Sequence, residues 1–260
     1  MALAIRMSDV GMRFPSRRNE GSYLALENVN LEVKQGEFFC LLGPSGCGKT
    51  TLLNLVAGFE KPTSGSVEIS GVEVDSPGKD RGVVFQTDRA LFDWLTVEDN
   101  VCFGPKIRGA DPNEISQSVE KMLKLVGLWE ARYKLPRELS GGMKQRVQIA
   151  RVLANEPDIL LMDEPFAALD AHTRGQMQKE VTRIWESWRR TVLFVTHDIA
   201  EAIWLADRIG IMTKGPNSYI REIYDVNLLR PRGRMDSGFS ELFNVLSDAI
   251  DYEARNSHST

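Results

Sequence analysis

Gly43-Pro44-Ser45-Gly46-Cys47-Gly48-Lys49-Thr50 stands directly after a short apolar run, residues 36–42, and directly before a helical pattern with Leu52, Leu53 and Val56 on its inner side. A strand, a glycine-rich turn and a helix in that order are the building unit of an α/β fold. The turn also has a chemistry. Glycines let main-chain amides curl around a phosphate, and the helix N-terminus adds a positive dipole. Lys49 reaches the β- and γ-phosphates, and Thr50, with Thr51 beside it, offers a hydroxyl to Mg²⁺. At average residue usage the pattern arises by chance in only about one chain in a hundred of this size. Cys47, next to Lys49 at a helix N-terminus, is in a setting that stabilises a thiolate.

Further short apolar runs alternate with helical patterns, which predicts a largely parallel sheet. Residues 82–85, 159–162, 192–195 and 209–212 read as buried strands, and residues 67–69 and 72–74 read as a small antiparallel hairpin around Gly71. Residues 90–155 are mostly helical. There Asp111 is an N-cap, Pro112 takes the first helical position, Glu114 completes a capping box, and Ile115, Val119, Met122, Leu123 and Val126 form an apolar face that ends at Gly127. Phe239, Leu242, Phe243, Leu246 and Ile250 recur at helical spacing near the C-terminus. The expected organisation is a nucleotide-binding α/β core at residues 1–89 and 156–235, an inserted helical subdomain at 90–155, and a C-terminal helix and tail at 236–260.

Composition excludes several classes. With 42% hydrophobic and 26% charged residues in 260, the chain is neither disordered nor a membrane bundle. Its longest apolar runs, such as residues 38–42, fall far short of the roughly 18 residues that span a bilayer. A net charge of −4 argues against nucleic acid as a partner. Arg6 and Asp9 interrupt the N-terminus before an apolar signal region can form, which predicts a cytosolic protein. Cys40, Cys47 and Cys102 are odd in number and lack metal-ligand spacing, so they read as reduced thiols.

Two more segments carry chemistry. Residues 159–162 lead into Asp163 and Glu164, where Asp163 can enter a Mg²⁺ shell and Glu164 can take a proton from an attacking water. An apolar run ending in acids is common at strand ends, and only the phosphate loop turns this one into a hydrolytic candidate. Leu139-Ser140-Gly141-Gly142-Met143-Lys144-Gln145-Arg146 opens a helix with Ser140 as N-cap and Met143, Val147, Ala150 and Leu153 inward. Gly141 and Gly142 cost stability in a first helical turn, a cost that a second phosphate-binding helix terminus explains through close backbone approach.

Phosphate loop, Leu-Ser-Gly-Gly-Met-Lys-Gln and Ile-Leu-Leu-Met-Asp-Glu-Pro, in that order, resemble the nucleotide-binding subunits of ATP-binding cassette (ABC) transporters. The resemblance implies a P-loop NTPase (RecA-like) core with a mostly parallel sheet, a small antiparallel β subdomain and an inserted helical subdomain. It also implies a Q-loop at Gln86, which senses the γ-phosphate and Mg²⁺, a D-loop at Ala168-Leu169-Asp170, and a switch histidine at His197. An aromatic ring stacks on adenine in this family, and Phe14 is the best match, with Tyr23 the alternative. ATP would lie in a head-to-tail homodimer between Lys49 of one copy and Ser140 with the Gly142 amide of the other.

Residues 91–101 and Arg230-Pro231-Arg232 resemble the branch that imports nitrate, sulfonates, taurine and bicarbonate, although Asp93 stands where that branch usually has proline. The implied partners are transmembrane permease subunits and, indirectly, an extracytoplasmic solute-binding protein, with the chain peripheral on the cytoplasmic face of the membrane. Trp94, with Phe92 second, is the expected anchor for a short permease helix. The alternatives are a cassette ATPase without a transport role and a DNA-repair cassette. The second requires long coiled coils between loop and signature, and none are present.

Overall fold

The computed structural model describes residues 2–15, 21–86, 90–233 and 236–255. The expected boundaries at 89 and 235 therefore fall outside the described residues. In chain order the strands and helices are β1 (Leu3–Pro15), β2 (Ser22–Lys34), β3 (Phe38–Leu42), α1 (Lys49–Ala57), β4 (Ser64–Ile69), β5 (Val72–Glu73) and β6 (Arg81–Val84). They continue with α2 (Val97–Ile107), α3 (Pro112–Leu125), α4 (Gly141–Leu153), β7 (Ile159–Asp163), α5 (Ala171–Trp188), β8 (Thr191–Thr196), α6 (Ile199–Leu205), β9 (Arg208–Met212), β10 (Ile220–Asp225) and α7 (Ser237–Arg255). Among the described residues no helix is long and apolar enough to cross a membrane. The chain divides into two units, Met1–Gly78 with Arg189–Thr260, and Lys79–Trp188.

In the first unit β3 runs parallel to β8 on one side and β9 on the other, so that Cys40 lies opposite both Phe194 and Ile209. All five β3 residues are buried, as a continuous apolar run requires when both faces of a parallel sheet are covered. Phe38 and Phe194 meet with ring centroids 5.8 Å apart. β10 adds antiparallel to β9. Its sequence, Ile-Arg-Glu-Ile-Tyr-Asp, is half polar, which suits an edge strand. A second, antiparallel sheet has the order β2-β1-β4-β5. β1 and β2 pair from Leu3↔Lys34 out to Pro15↔Ser22, and Val29, Leu31 and Val33 of β2 alternate with exposed Asn30, Glu32 and Lys34.

In the second unit β6 and β7 pair in parallel, Gly82 opposite Leu160. Three helices, α2, α3 and α4, pack on one another. The Asp111 side chain caps α3 by accepting from the amides of Asn113 and Glu114, and Val119, Met122 and Leu123 are the residues that helix buries. Gly127 ends the segment at φ 66°, a left-handed position that glycine occupies without steric cost.

Candidate functional site

The first unit presents the phosphate loop. β3 stops at Leu42, the loop runs from Gly43, and α1 begins at Lys49 with Gly48 as its N-cap at φ 93° and no side-chain cap. A Cβ at Gly48 would lie 2.7 Å from Leu26 Cδ2, so both the backbone angle and the space select glycine there. Lys49 is buried, and its ammonium donates to the carbonyls of Gly43 at 2.7 Å and Pro44 at 2.9 Å. The loop thus combines a buried cation with a helix start that no side chain caps, which is the donor set a polyphosphate takes. Ser45, Gly46 and Thr50 are exposed.

Cys47 corrects an expectation. Its side chain is 1% exposed, and burial pushes the thiol up, outweighing the nearby Lys49 charge that would lower it. Desolvation wins even though the Lys49 ammonium, which also donates to the Gly43 and Pro44 carbonyls, donates a long hydrogen bond to Cys47 Sγ at 3.8 Å.

Phe14 stands inside β1 and pairs directly with Tyr23 of β2. Directly opposed residues point to the same face, so the two aromatic candidates are neighbours on one surface. Tyr23 is 44% exposed, and both its hydroxyl and the Gly46 carbonyl of the phosphate loop lie within 3.4 Å of a Cβ built at Gly215. His197, exposed, follows the last residue of β8. Its neighbours are braced: Thr196 Oγ1 donates to Glu201 at 2.6 Å and accepts from the Asp198 amide, while Asp198 caps α6 through the Glu201 amide.

The second unit holds the acidic and signature residues. Asp163 ends β7 almost fully buried. Glu164 follows at φ 44°, a left-handed conformation that costs a non-glycine residue roughly 1–2 kcal/mol. This turn re-aims the side chain, and Glu164 Oε2 accepts from Gln86 Nε2 at 3.1 Å. Asp170 Oδ1 accepts from the amides of His172 and Thr173. Hydrogen bonds from Thr173 hold its carboxyl below the usual range.

Ser140 caps α4 by accepting from the Met143 amide at 3.3 Å. The two glycines that follow differ. A Cβ at Gly142 would meet Leu169 Cδ2 at 3.1 Å, so this glycine has a packing role against Leu169, contrary to the expectation that ligand approach alone explains it. A Cβ at Gly141 would meet nothing within 4 Å.

Several organising residues escaped the sequence reading. Gln145 of α4 is buried and donates to the carbonyl of Phe85, next to Gln86. Arg151 donates to the Ala90 carbonyl at 2.7 Å and lies over the Phe92 ring at 4.2 Å. Asn100, fully buried, ties together residues 92–96 by accepting from the Phe92 amide and donating to the Phe92, Leu95 and Thr96 carbonyls. Trp94 projects from that loop 74% exposed. For Asn100 the available signal was a polar residue on an otherwise apolar helix face, between Val97 and Val101; Gln145, on the opposite side of α4 from Met143 and Val147, gave no such signal.

Residues 26–167 match the family described as ABC transporter. Over 229 residues the chain is 51% identical to the nitrate import ATP-binding protein of Synechococcus elongatus, across 86% of this chain and 82% of that protein. It is 49% identical over 220 residues to the taurine import ATP-binding protein of Jannaschia sp., across 85% of this chain and 81% of that one. A solved dimeric, post-hydrolysis ATP-binding cassette bound to ADP and Pi aligns with a TM-score of 0.76 at 34% identity, over 86% of this chain and 100% of that chain. The fold is the expected P-loop NTPase (RecA-like) one, with a mixed sheet and a helical subdomain.

Proposed function

This chain belongs to the ATP-binding subunits of ABC transporters, and we propose that it hydrolyses ATP to drive a membrane importer of a small anion, such as nitrate, a sulfonate, taurine or bicarbonate. The hydrolytic part of the reading is carried by the Gln86–Glu164 hydrogen bond at 3.1 Å, because a carboxylate held on a strained turn by an amide is a pre-oriented base. Lys49, the loop from Gly43 to Gly48, and Thr51 hold the phosphates. Phe14 or Tyr23 stacks on the base. Thr50, Gln86 and Asp163 would hold Mg²⁺, since hydroxyl, amide and carboxylate oxygens are the hard donors that ion takes. When bound, the ion neutralises charge on the β- and γ-phosphates. Glu164 takes a proton from the attacking water at Oε1 or Oε2, Gln86 keeps it oriented, and His197 donates toward the γ-phosphate.

A head-to-tail homodimer brings Ser140, Gly141, Gly142 and Asp170 of one copy to the nucleotide of the other. The dimeric cassette at 34% identity supports this assembly. Residues 90–155 act as the signature-bearing subdomain, tied to the Q-loop by Gln145 and Arg151, so that movement at Gln86 reaches the loop that displays Trp94. The permease engages that loop on the cytoplasmic face of the membrane.

The test is Glu164→Gln in the full chain. ATP binding should stay within a few-fold of the parent while turnover falls by about 10²–10⁴, the range for loss of a general base. Turnover near the parent rate would remove Glu164 from this role. The solute is tested separately, by asking which anion, with its binding protein, stimulates hydrolysis in the assembled transporter.

A further inference from the structure

A helix end leaves its last carbonyls without amide partners. At the C-terminal end of α6, four successive carbonyls are taken by two guanidinium groups instead. Arg232 Nη1 donates to Ile203 at 2.6 Å, Trp204 at 3.3 Å and Ala206 at 2.7 Å, and Arg230 Nη2 donates to Leu205 at 2.5 Å. Arg232 also donates to Leu228 and Val226, which folds the strand-to-helix connection 226–233 onto itself. Arg230 pairs with Asp207 at 2.7 Å, and the other Asp207 oxygen accepts from the Phe38 amide at the start of β3.

Arg232 is only 3% exposed, an expensive location for a charge that no surface role requires. Burial, and secondarily the like charge of Arg230, pushes its guanidinium down to about 10, so it stays cationic at neutral pH, where a cation suits the negative end of a helix.

The helix so fastened has seven residues, well below the roughly 12–15 at which an isolated helix becomes even marginally stable. Ala202, Ile203 and Leu205 pack it against β3, β8 and α7, and side chains fasten it at both ends. At the N-terminal end the fastening is made by Thr196, Asp198 and Glu201, the residues that flank and follow His197. Any fraying or rotation of α6 is therefore transmitted to the turn that carries the imidazole.

We propose that Arg232, assisted by Arg230, is a positioning residue for His197: the connection 226–233 locks α6, and α6 sets the turn that presents the histidine. The proposal rests on the reading of His197 as the switch residue, and the experiment separates the two. ATP hydrolysis by the full chain is measured for Arg232→Met, Arg232→Lys and Arg230→Gln, each alone and combined with His197→Ala. Arg232→Met should lower kcat on the order of tenfold with KM for ATP within about twofold, and Arg232→Lys should restore part of the loss. With His197 already removed, the arginine variants should cost nothing further, the signature of residues acting as a unit.

If the losses instead add to that of His197→Ala, or if folded Arg232→Met turns over at the parent rate, the proposal is overturned and the role of His197 stands. Should Arg232→Met not fold, Arg230→Gln, which removes a partly exposed side chain with one carbonyl contact and the Asp207 ion pair, must show the same dependence on His197 or the proposal fails. If His197→Ala itself is fully active, the reading of His197 falls, and this proposal with it.

Discussion

Gly141→Ala sets stability against function at a single methyl group. Gly141 is the first residue of α4, behind the intact Ser140 cap, and a Cβ there would meet nothing within 4 Å. Its φ is not positive, so alanine adopts the same backbone without strain. The substitution then acts chiefly on the unfolded chain, whose entropy it reduces, and stabilises by about 0.4–1 kcal/mol. At roughly 2–4 °C per kcal/mol for a chain of this size, Tm should rise by about 1–4 °C.

Hydrolysis should move the other way. If the signature helix end approaches a phosphate through its backbone, the new methyl group occupies the approach, and turnover should fall roughly 10- to 100-fold. Gly142→Ala is the control, because its Cβ would press on Leu169 Cδ2 at 3.1 Å and cancel the entropic gain. Calorimetry of the nucleotide-free chain and a steady-state phosphate-release assay measure both effects. A Gly141→Ala protein that is more stable and hydrolyses ATP at the parent rate would refute the phosphate-binding role of this helix end.

Trp94→Ala removes a side chain that is 74% exposed, so its stability cost should stay near 1 kcal/mol, well under the roughly 3–5 kcal/mol of a core tryptophan. Copurification with the permease should weaken by about 30-fold or more if Trp94 is the anchor, and a large fall in Tm with normal assembly would show it to be a packing residue. Cys47, buried with its thiol pushed up, should react with a maleimide much more slowly in the folded chain than after denaturation, and faster as pH rises. Mass-spectrometric mapping that finds equal rates folded and unfolded would contradict the burial of this thiol.

Local chemistry made much of this protein legible from its residues. The strand at 38–42, the helix at 49–57, the Asp111 cap and the Ser140 cap all depend on neighbours within about four positions, and each stands where periodicity and capping rules place it. The order of the phosphate loop, signature and acidic strand end added the family. What the residues alone left open depends on groups brought from far along the chain.

Gln86 reaches Glu164 across 78 positions, Gln145 reaches Phe85 across 60, and Arg232 reaches Ile203 across 29. Neither the α6 clasp nor the polar edge strand β10 has a pattern that announces it, since α6 is too short for periodicity and β10 is half polar. The sequence put Phe14 ahead of Tyr23, but hairpin pairing sets the two rings side by side on one surface, so position along the chain does not separate them. Cys47 shows the same divide at one atom. Its sequence neighbours, Lys49 and a helix start, favour the thiolate, but the enclosure that packing builds around it removes the water a charge needs, and burial prevails.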